Sequence, residues 1–345
     1  MSMKETTGSI RRILLIVLTA MLSVILIVLV AGTIYLESML NLINKNPDDS
    51  IISSDDYNDF INQTETLEPG FTGETIDPDD VEWVPNTDPV EPIEHIINIL
   101  LIGQDRRPEE PRTRSDSMIL CTINTATQEL TLTSFMRDMY VPIPGYRDNR
   151  VNVSYYYGGM RLLNECLKMN FGIHIDGSLE VDFERFEEII DLMGGVDIYI
   201  TEEEAEYLIG RGNQATPGWN HMDGKLALEH ARNRTVGNVD FTRTERQRVM
   251  LNALVEKCRG MNLIQISNLM EKVLPMLTTD MSNRDIMGYM LEVFPYLKNL
   301  KINSQRIPAD GACVDKWVTG VGWVLLPDLE ANREILKKCM EKVTN

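Results

Sequence analysis

The chain has 345 residues, 43% hydrophobic and 25% charged, which leaves room for one large folded domain or two small ones with appendages. A formal net charge of -19 with no basic stripe excludes a nucleic-acid-binding face, which needs basic residues interleaved with aromatic or groove-entering elements. The acidity is local: fifteen Asp and Glu against one Lys lie between Lys45 and Glu94, leaving +1 over the first 44 residues and only -6 beyond residue 94.

Residues 1–12 form a short tail ending in Arg11 and Arg12. Ile13–Leu36 then runs twenty-four residues without a charge. About 20 apolar residues in a helix span a bilayer, whereas the apolar region of a cleavable signal peptide is about 7–15 residues. The run therefore reads as an uncleaved transmembrane helix. Arginines at its near end and Glu37 at its far end place the N-terminus in the cytoplasm and the rest of the chain outside. Residues 37–94 carry most of the acidity, and six of the fifteen prolines fall between Asn44 and Glu94. Such a segment repels itself and buries little apolar surface, so it reads as an extracytoplasmic stalk, with order expected from His95 to the end of the chain.

In the folded part, Ile96–Gly103 is an apolar, β-branched run of the kind buried on both faces of a sheet. Ser117–Asn124 and Glu129–Met136 follow as a hairpin. Val196–Ile200 is a further strand after the Gly194-Gly195 turn. Helical periodicity marks Gly159–Met169, Asp182–Met193, Asp223–His230, Thr242–Arg259, Ile264–Leu277, Ser282–Val293 and Pro327–Val343, the last preceded by a closing strand pair. Strands interleaved with helices indicate an α/β or α+β layered domain. Five cysteines without CxxC spacing read as isolated thiols, with Cys313–Cys339 as one possible pair, and four scattered histidines give no zinc motif.

Three segments carry the chemistry. "GQDRRPEEPRTRSDSM" (Gly103–Met118) follows the first strand and holds Asp105, Arg106, Arg107, Arg112, Arg114 and Asp116. "FMRDMY" (Phe135–Tyr140) follows the third and sets Arg137 beside Asp138. "ARNRTVGNVDFTRTERQR" (Ala231–Arg248) holds five arginines. In it, Thr242-x-x-Glu245 reads as a capping box that starts a helix. Arg243 and Gln247 share that helix's inward stripe with Leu251 and Leu254, while Arg248 falls on its polar side and Arg246 is undecided. A buried arginine needs an anion, and Asp240 is one candidate. Arg232 and Arg234 alternate and would point one way in a strand. Several arginines aimed at one place suit bidentate recognition of phosphate, and carboxylates among them suit a hydrated Mg²⁺ on phosphate oxygens.

The ordered series "NILLIGQDRR … RSDSMILCTIN … TLTSFMRDMYVPIPGY … RVNVSYYYGG … VDFERFEEIIDLMGGVDI … MDGKLALEHARNR … DFTRTERQRVMLNAL" resembles the LytR-CpsA-Psr family over Asn98 to about Leu254. The resemblance implies an α-β-α layered α/β fold, with a mixed central sheet flanked by helices and a membrane anchor before it. It implies an enzyme, a phosphotransferase that moves a glycopolymer such as teichoic acid or capsule from undecaprenyl pyrophosphate to peptidoglycan in a Gram-positive wall. On the matching positions it implies Asp105, Asp116, Arg137, Asp138 and Arg243 as catalytic residues. Arg114, Arg232, Arg234, Asp240 and Gln247 would line the pyrophosphate and lipid site, and Asp105 and Asp116 would hold Mg²⁺ (or Mn²⁺). Asp116 and Asp138 are the candidate bases, and the apolar segments between Gly159 and Met193 are candidate walls of a lipid pocket. "PEEP" between Asp105 and Asp116, and His230 where the family often has an aromatic residue, depart from the pattern. The rival readings are a polyprenyl-phosphate-binding regulator, which would need the arginines but not the carboxylates, and a pyrophosphatase acting on the carrier.

Overall fold

The structure is a computed structural model that describes residues 26, 30–45, 47–52, 74–106, 112–237 and 239–341. Most of the expected span over residues 13–36 lies outside them, and among the described residues no helix is long and apolar enough to cross a membrane.

Strand β1 (Thr75–Ile76) precedes β2 (Ile96–Gln104), β3 (Ser115–Asn124) and β4 (Glu129–Phe135). Short strands β5 (Tyr140–Val141) and β6 (Asn149–Arg150) lead into helix α1 (Val151–Phe171). Next come β7 (Gly177–Asp182) and α2 (Phe183–Leu192), β8 (Val196–Ile200) and α3 (Glu202–Gly210), then β9 (Gly218–Met222) and α4 (Gly224–Ala231). Helices α5 (Val239–Arg259) and α6 (Leu263–Val273) are followed by β10 (Thr278–Thr279), α7 (Asn283–Val293), β11 (Lys301–Ile307), β12 (Cys313–Val318), β13 (Gly322–Pro327) and α8 (Leu329–Met340).

Six strands form the central sheet in the order β10-β7-β2-β3-β4-β11. The β2–β3–β4 meander is antiparallel, while β7 pairs with β2 and β11 with β4 in parallel, so the sheet is mixed. The apolar run of β2 sits near the middle, where burial on both faces is available. One face, through Leu100, Ile102, Met118 and Leu120, packs on α1 and α8 in the main core. The other, through Ile119 and Leu132, meets Leu251 and Val255 of α5. Beyond α5 a smaller lobe builds its own core from α2, α3, α4 and the β8–β9 pair. Asp182, Asp223 and Ser282 cap their helices by accepting from backbone N–H groups three residues on. The closing β12–β13 pair and its helix form as expected.

The described residues of the acidic segment 37–94 make contacts with the folded domain, while 53–73 lie outside the described residues. Met39, Leu40 and Ile43 are buried against α6 and α7, and Asn44 pairs with Thr278. Asp48 forms an ion pair of 3.2 Å with Arg112, a buried side chain that also donates to the Ser50 and Tyr156 carbonyls. Gly159, at φ +62, breaks α1 where the segment passes; a Cβ there would lie 2.3 Å from the Asp48 carbonyl oxygen. Farther on, β1 pairs with β12, and Trp83 donates to Asp148 at 2.6 Å while packing on the core. Sparse apolar residues thus suffice to dock an acidic segment when each finds a prepared contact. All five cysteines are free, including Cys313 and Cys339.

Candidate functional site

Asp116, near the start of β3, and Arg137, just past β4, meet at 2.7 Å (Nη1 to Oδ1). Arg137 Nε also donates to Asp138 at 3.2 Å. Asp138 turns its other oxygen to Arg150 at 3.7 Å, so it braces Arg137 between two cations. Of the two candidate bases, Asp116 is the more exposed.

Asp240, Arg243 and Gln247 recur at helical spacing on α5 and share a face. This helix begins at Val239, not Thr242, so Asp240 lies inside its first turn, where a carboxylate also favours the helix dipole. Arg243 is 3% exposed and pairs with Asp240 at 3.0 Å, while Arg137 stands 4.0 Å from the same carboxylate. Nε and Nη1 of Arg243 are buried without a hydrogen-bond partner. Burial and the nearby Arg137 and Arg234 lower Arg243 to about 10, opposed by Asp240 and Asp116, so it stays charged at neutral pH. The cluster is short of negative charge. One turn on, Gln247 accepts from Ser117 at 3.1 Å.

The "HARNR" segment is not extended: α4 ends at Ala231 and Arg232 caps it in a helical conformation. Arg232 and Arg234 are nonetheless exposed around a buried Asn233. Arg232 reaches Asp105, beyond the end of β2, at 2.6 Å and stacks 4.8 Å over Phe183. Arg114 precedes β3 and is half-buried, as is Arg106 after Asp105, whereas Arg107 lies outside the described residues.

Two arginines read differently in the structure than in the sequence. Arg246 is buried and donates to Glu204 at 2.6 Å and to the Asn233 and Val236 carbonyls, a clamp inside the small lobe. Arg248 is not solvated: it is 7% exposed, donates to Ser304 at 2.7 Å, and burial lowers it to about 10. Helix α5 keeps an exposed stripe through Glu245, Val249, Asn252 and Glu256, but Arg248 falls at its edge and turns onto Ser304 of β11. His230 is buried 3.5 Å from Glu204, so its departure from the family pattern concerns the lobe's interior.

Between the sheet and helices α2, α4, α5 and α6 lies a cavity of about 270 Å³. Its walls are apolar, with Leu101, Ile119, Phe186 and Leu251 among them, and Ser117, Arg232 and Gln247 bring polarity. Of the segment 159–193 only the part from Leu179 onward contributes; α1 lies on the opposite face of the sheet. Glu180 was not singled out from the sequence. Burial raises its pKa, against the lowering effect of the Tyr155 hydrogen bond (2.5 Å), Arg106 and Gln104. Its signal lay in β7, an edge-to-centre pairing invisible without the fold.

Asp105 and Asp116 are hard oxygen donors of the type Mg²⁺ takes, yet each already meets an arginine. Among the described residues no group of three or more His, Cys, Asp or Glu gathers that could hold a metal. An ion held by these two carboxylates would have to complete its shell with water and ligand phosphate, since no all-protein cage gathers among the described residues.

Fold and site together define a layered α/β protein with an apolar cavity whose polar lining includes Arg232 and Gln247, the latter one helical turn from Arg243. Residues 78–340 match the LytR_cpsA_psr family, and the chain belongs to that family. It is 29% identical over 246 residues to the polyisoprenyl-teichoic acid–peptidoglycan teichoic acid transferase TagU of Bacillus mycoides, covering 70% of this chain and 77% of that one. To the transferase TagT of Bacillus subtilis it is 26% identical over 213 residues, 59% of this chain and 65% of TagT. A solved structure of the family protein YwtF (TagT) with bound octaprenyl pyrophosphate lipid superposes with a TM-score of 0.56 at 21% identity, over 74% of this chain and 94% of that one, a likeness of fold.

Proposed function

We propose that this protein is a membrane-anchored phosphotransferase that moves a glycopolymer from an undecaprenyl-pyrophosphate carrier to peptidoglycan. The observation that carries the reading is the junction of the apolar cavity, through Ser117, Gln247 and Arg232, with the arginine cluster in which Arg243 keeps two buried N–H groups unbonded. A prenyl chain would fill the apolar part and its pyrophosphate would meet Arg137, Arg232, Arg234 and Arg243, with Arg114 at the edge. The names TagU and TagT, and the lipid in the TagT structure, support this choice of ligand.

Asp105 and Asp116 would hold Mg²⁺ (or Mn²⁺), which when bound offsets the negative charge of the pyrophosphate. The protein's part is positioning and electrostatics. Arg137, braced by Asp138, and Arg243, braced by Asp240, hold the phosphoryl oxygens. A peptidoglycan hydroxyl attacks the sugar-linked phosphorus, the P–O bond to the bridging oxygen breaks, and polyprenyl phosphate leaves. Asp116, with its exposed edge, is the better placed acceptor for the hydroxyl proton.

The deciding experiment follows a labelled lipid-linked glycan onto peptidoglycan with the purified full chain. Label in peptidoglycan supports the transferase, released glycan phosphate with water as acceptor supports the pyrophosphatase, and tight binding without turnover supports the regulator.

A further inference from the structure

Residues 30–40 are helical, and they lie beside α6 and run the same way. The Tyr35 hydroxyl is 2.6 Å from Ser267 Oγ, 232 residues on. Ser267 in turn reaches Met39 Sδ at 3.9 Å, a separation of 228, and Asn44 donates to Thr278 at 3.1 Å, a separation of 234. Farther along, Met39, Leu40 and Ile43 pack with Met270, Leu274 and Leu277, so a level on one helix can be read roughly off the other. Leu263 and Ile264, one turn before Ser267, fall near Ala31 and Gly32. At 1.5 Å per residue that is about 5 Å before Tyr35 on the membrane side. It lies inside the uncharged Ile13–Leu36 run.

Leu263 and Ile264 are 68% and 74% exposed. A groove lined by both also includes Phe294, at 57% exposure. Helix α7 begins away from the membrane, where Asn283 donates to Asn41 at 2.6 Å, so its far end returns toward Leu263. Leu291, 69% exposed, sits at that end. Large apolar side chains thus crowd the end of the domain from which the anchor departs. Tyr35, half exposed, marks the depth at which aromatic rings prefer the interface. The Asn262–Gln265 capping box satisfies N–H groups at the start of α6, which makes that end cheaper to bring against lipid. Exposed Lys298 on the groove's rim supplies a cation for headgroups.

We propose that the α6–α7 end docks on the membrane leaflet from which the anchor emerges, with Leu263, Ile264, Leu291 and Phe294 seated at the acyl boundary. The docking is peripheral and adds to the anchor a second, orienting contact. It rests on reading Ile13–Leu36 as a span, not on the transferase reading. Val273, at the far end of the same helix, lines the cavity, so docking fixes how the cavity is turned relative to the bilayer.

The test puts the full chain into phosphatidylcholine vesicles brominated high on the acyl chains and reads tryptophan quenching above the background of the native tryptophans. Val30→Trp reports the anchor, Ile264→Trp the docking surface, and Leu42→Trp a level beyond the interface. The expected result is loss of the added fluorescence for Val30→Trp and Ile264→Trp, with little loss for Leu42→Trp. Quenching of Val30→Trp with Ile264→Trp no more quenched than Leu42→Trp overturns the docking and leaves the span intact. Absence of quenching at all three positions removes both. Shielding of Ile264→Trp by a second copy, seen as quenching by aqueous iodide that disappears with protein concentration, also overturns it. No readout depends on turnover, so glycan transfer can fail or succeed independently.

Discussion

Asp240 and Arg243 form an ion pair of 3.0 Å in the first turns of α5, and the same carboxylate stands 4.0 Å from Arg137. One anion therefore serves two guanidinium groups from different layers of the fold. The arrangement holds both in place yet leaves two N–H groups of Arg243 buried and unbonded. A buried donor without an acceptor costs about 1–3 kcal/mol, more when charged. The ligand-free site thus carries a penalty that an entering phosphate would relieve.

Arg243→Ala should therefore separate activity from stability. Transfer of labelled glycan is expected to fall by roughly 10²–10³, the usual effect of losing one preorganised donor to a developing oxyanion. The unfolding midpoint should fall only modestly, since Asp240 keeps Arg137 beside it and two unbonded buried donors are removed. Arg243→Lys should recover little, because an ammonium cannot reproduce the planar fork. Full activity in folded Arg243→Ala would end the phosphate-binding account of this residue.

The same penalty predicts linkage between ligand and stability. Undecaprenyl phosphate at hundredfold excess over its dissociation constant should stabilise the native protein by about 2.7 kcal/mol, read as a shift of the thermal midpoint. Inorganic pyrophosphate should shift it less, leaving the apolar cavity empty. Ile189→Trp, which fills that cavity from α2, should shrink the lipid's shift toward that of pyrophosphate while leaving the pyrophosphate response intact.

Local chemistry was legible where it is local. Asp182, Asp223 and Ser282 announce helix starts by side chains that bond within three residues, and the β2–β4 meander follows from apolar runs and a short turn. The inward face of Arg243 and Gln247 followed from helical period alone. Arg246 shows the limit. It is chemically identical to Arg243 and three residues away, but its meaning depends on Glu204, carried by a helix 42 residues upstream whose own Thr201–Glu204 capping box went unread. The parallel pairings of β7 and β11, and the docking of residues 39–52 and 74–94, likewise depend on contacts distant in sequence. Glu180 came to light only once β7 set it beside Tyr155 and Gln104.

Metal dependence tests the carboxylates. Chelation should abolish glycan transfer and Mg²⁺ should restore it. Asp116→Asn should raise the Mg²⁺ concentration needed for half-maximal activity and lower the plateau, since it removes a hard donor and loosens Arg137. Asp138→Asn should act mainly on the plateau, because Asp138 only braces Arg137. Mg²⁺-independent transfer by the native protein would overturn the metal assignment.

The last prediction concerns the small lobe and has a definite sign. Burial raises the Glu204 carboxyl, but His230 at 3.5 Å and hydrogen bonds from the Thr201 backbone and Arg246 outweigh it and hold the group at about 2. An unfolded glutamate titrates near 4.3. A carboxyl depressed in the folded state contributes stability that is fully present above the unfolded value and is lost as pH falls toward the folded one. Acid unfolding should therefore show loss of stability between about pH 4.3 and about pH 2, and Glu204→Gln should flatten that part of the profile. At neutral pH the same substitution leaves Arg246 buried without its anion, which should cost about 3–5 kcal/mol in chemical denaturation. Transfer activity per folded molecule should be unaffected, since neither Glu204 nor Arg246 faces the cavity. A loss of activity without a loss of stability would return Arg246 to the ligand-binding group.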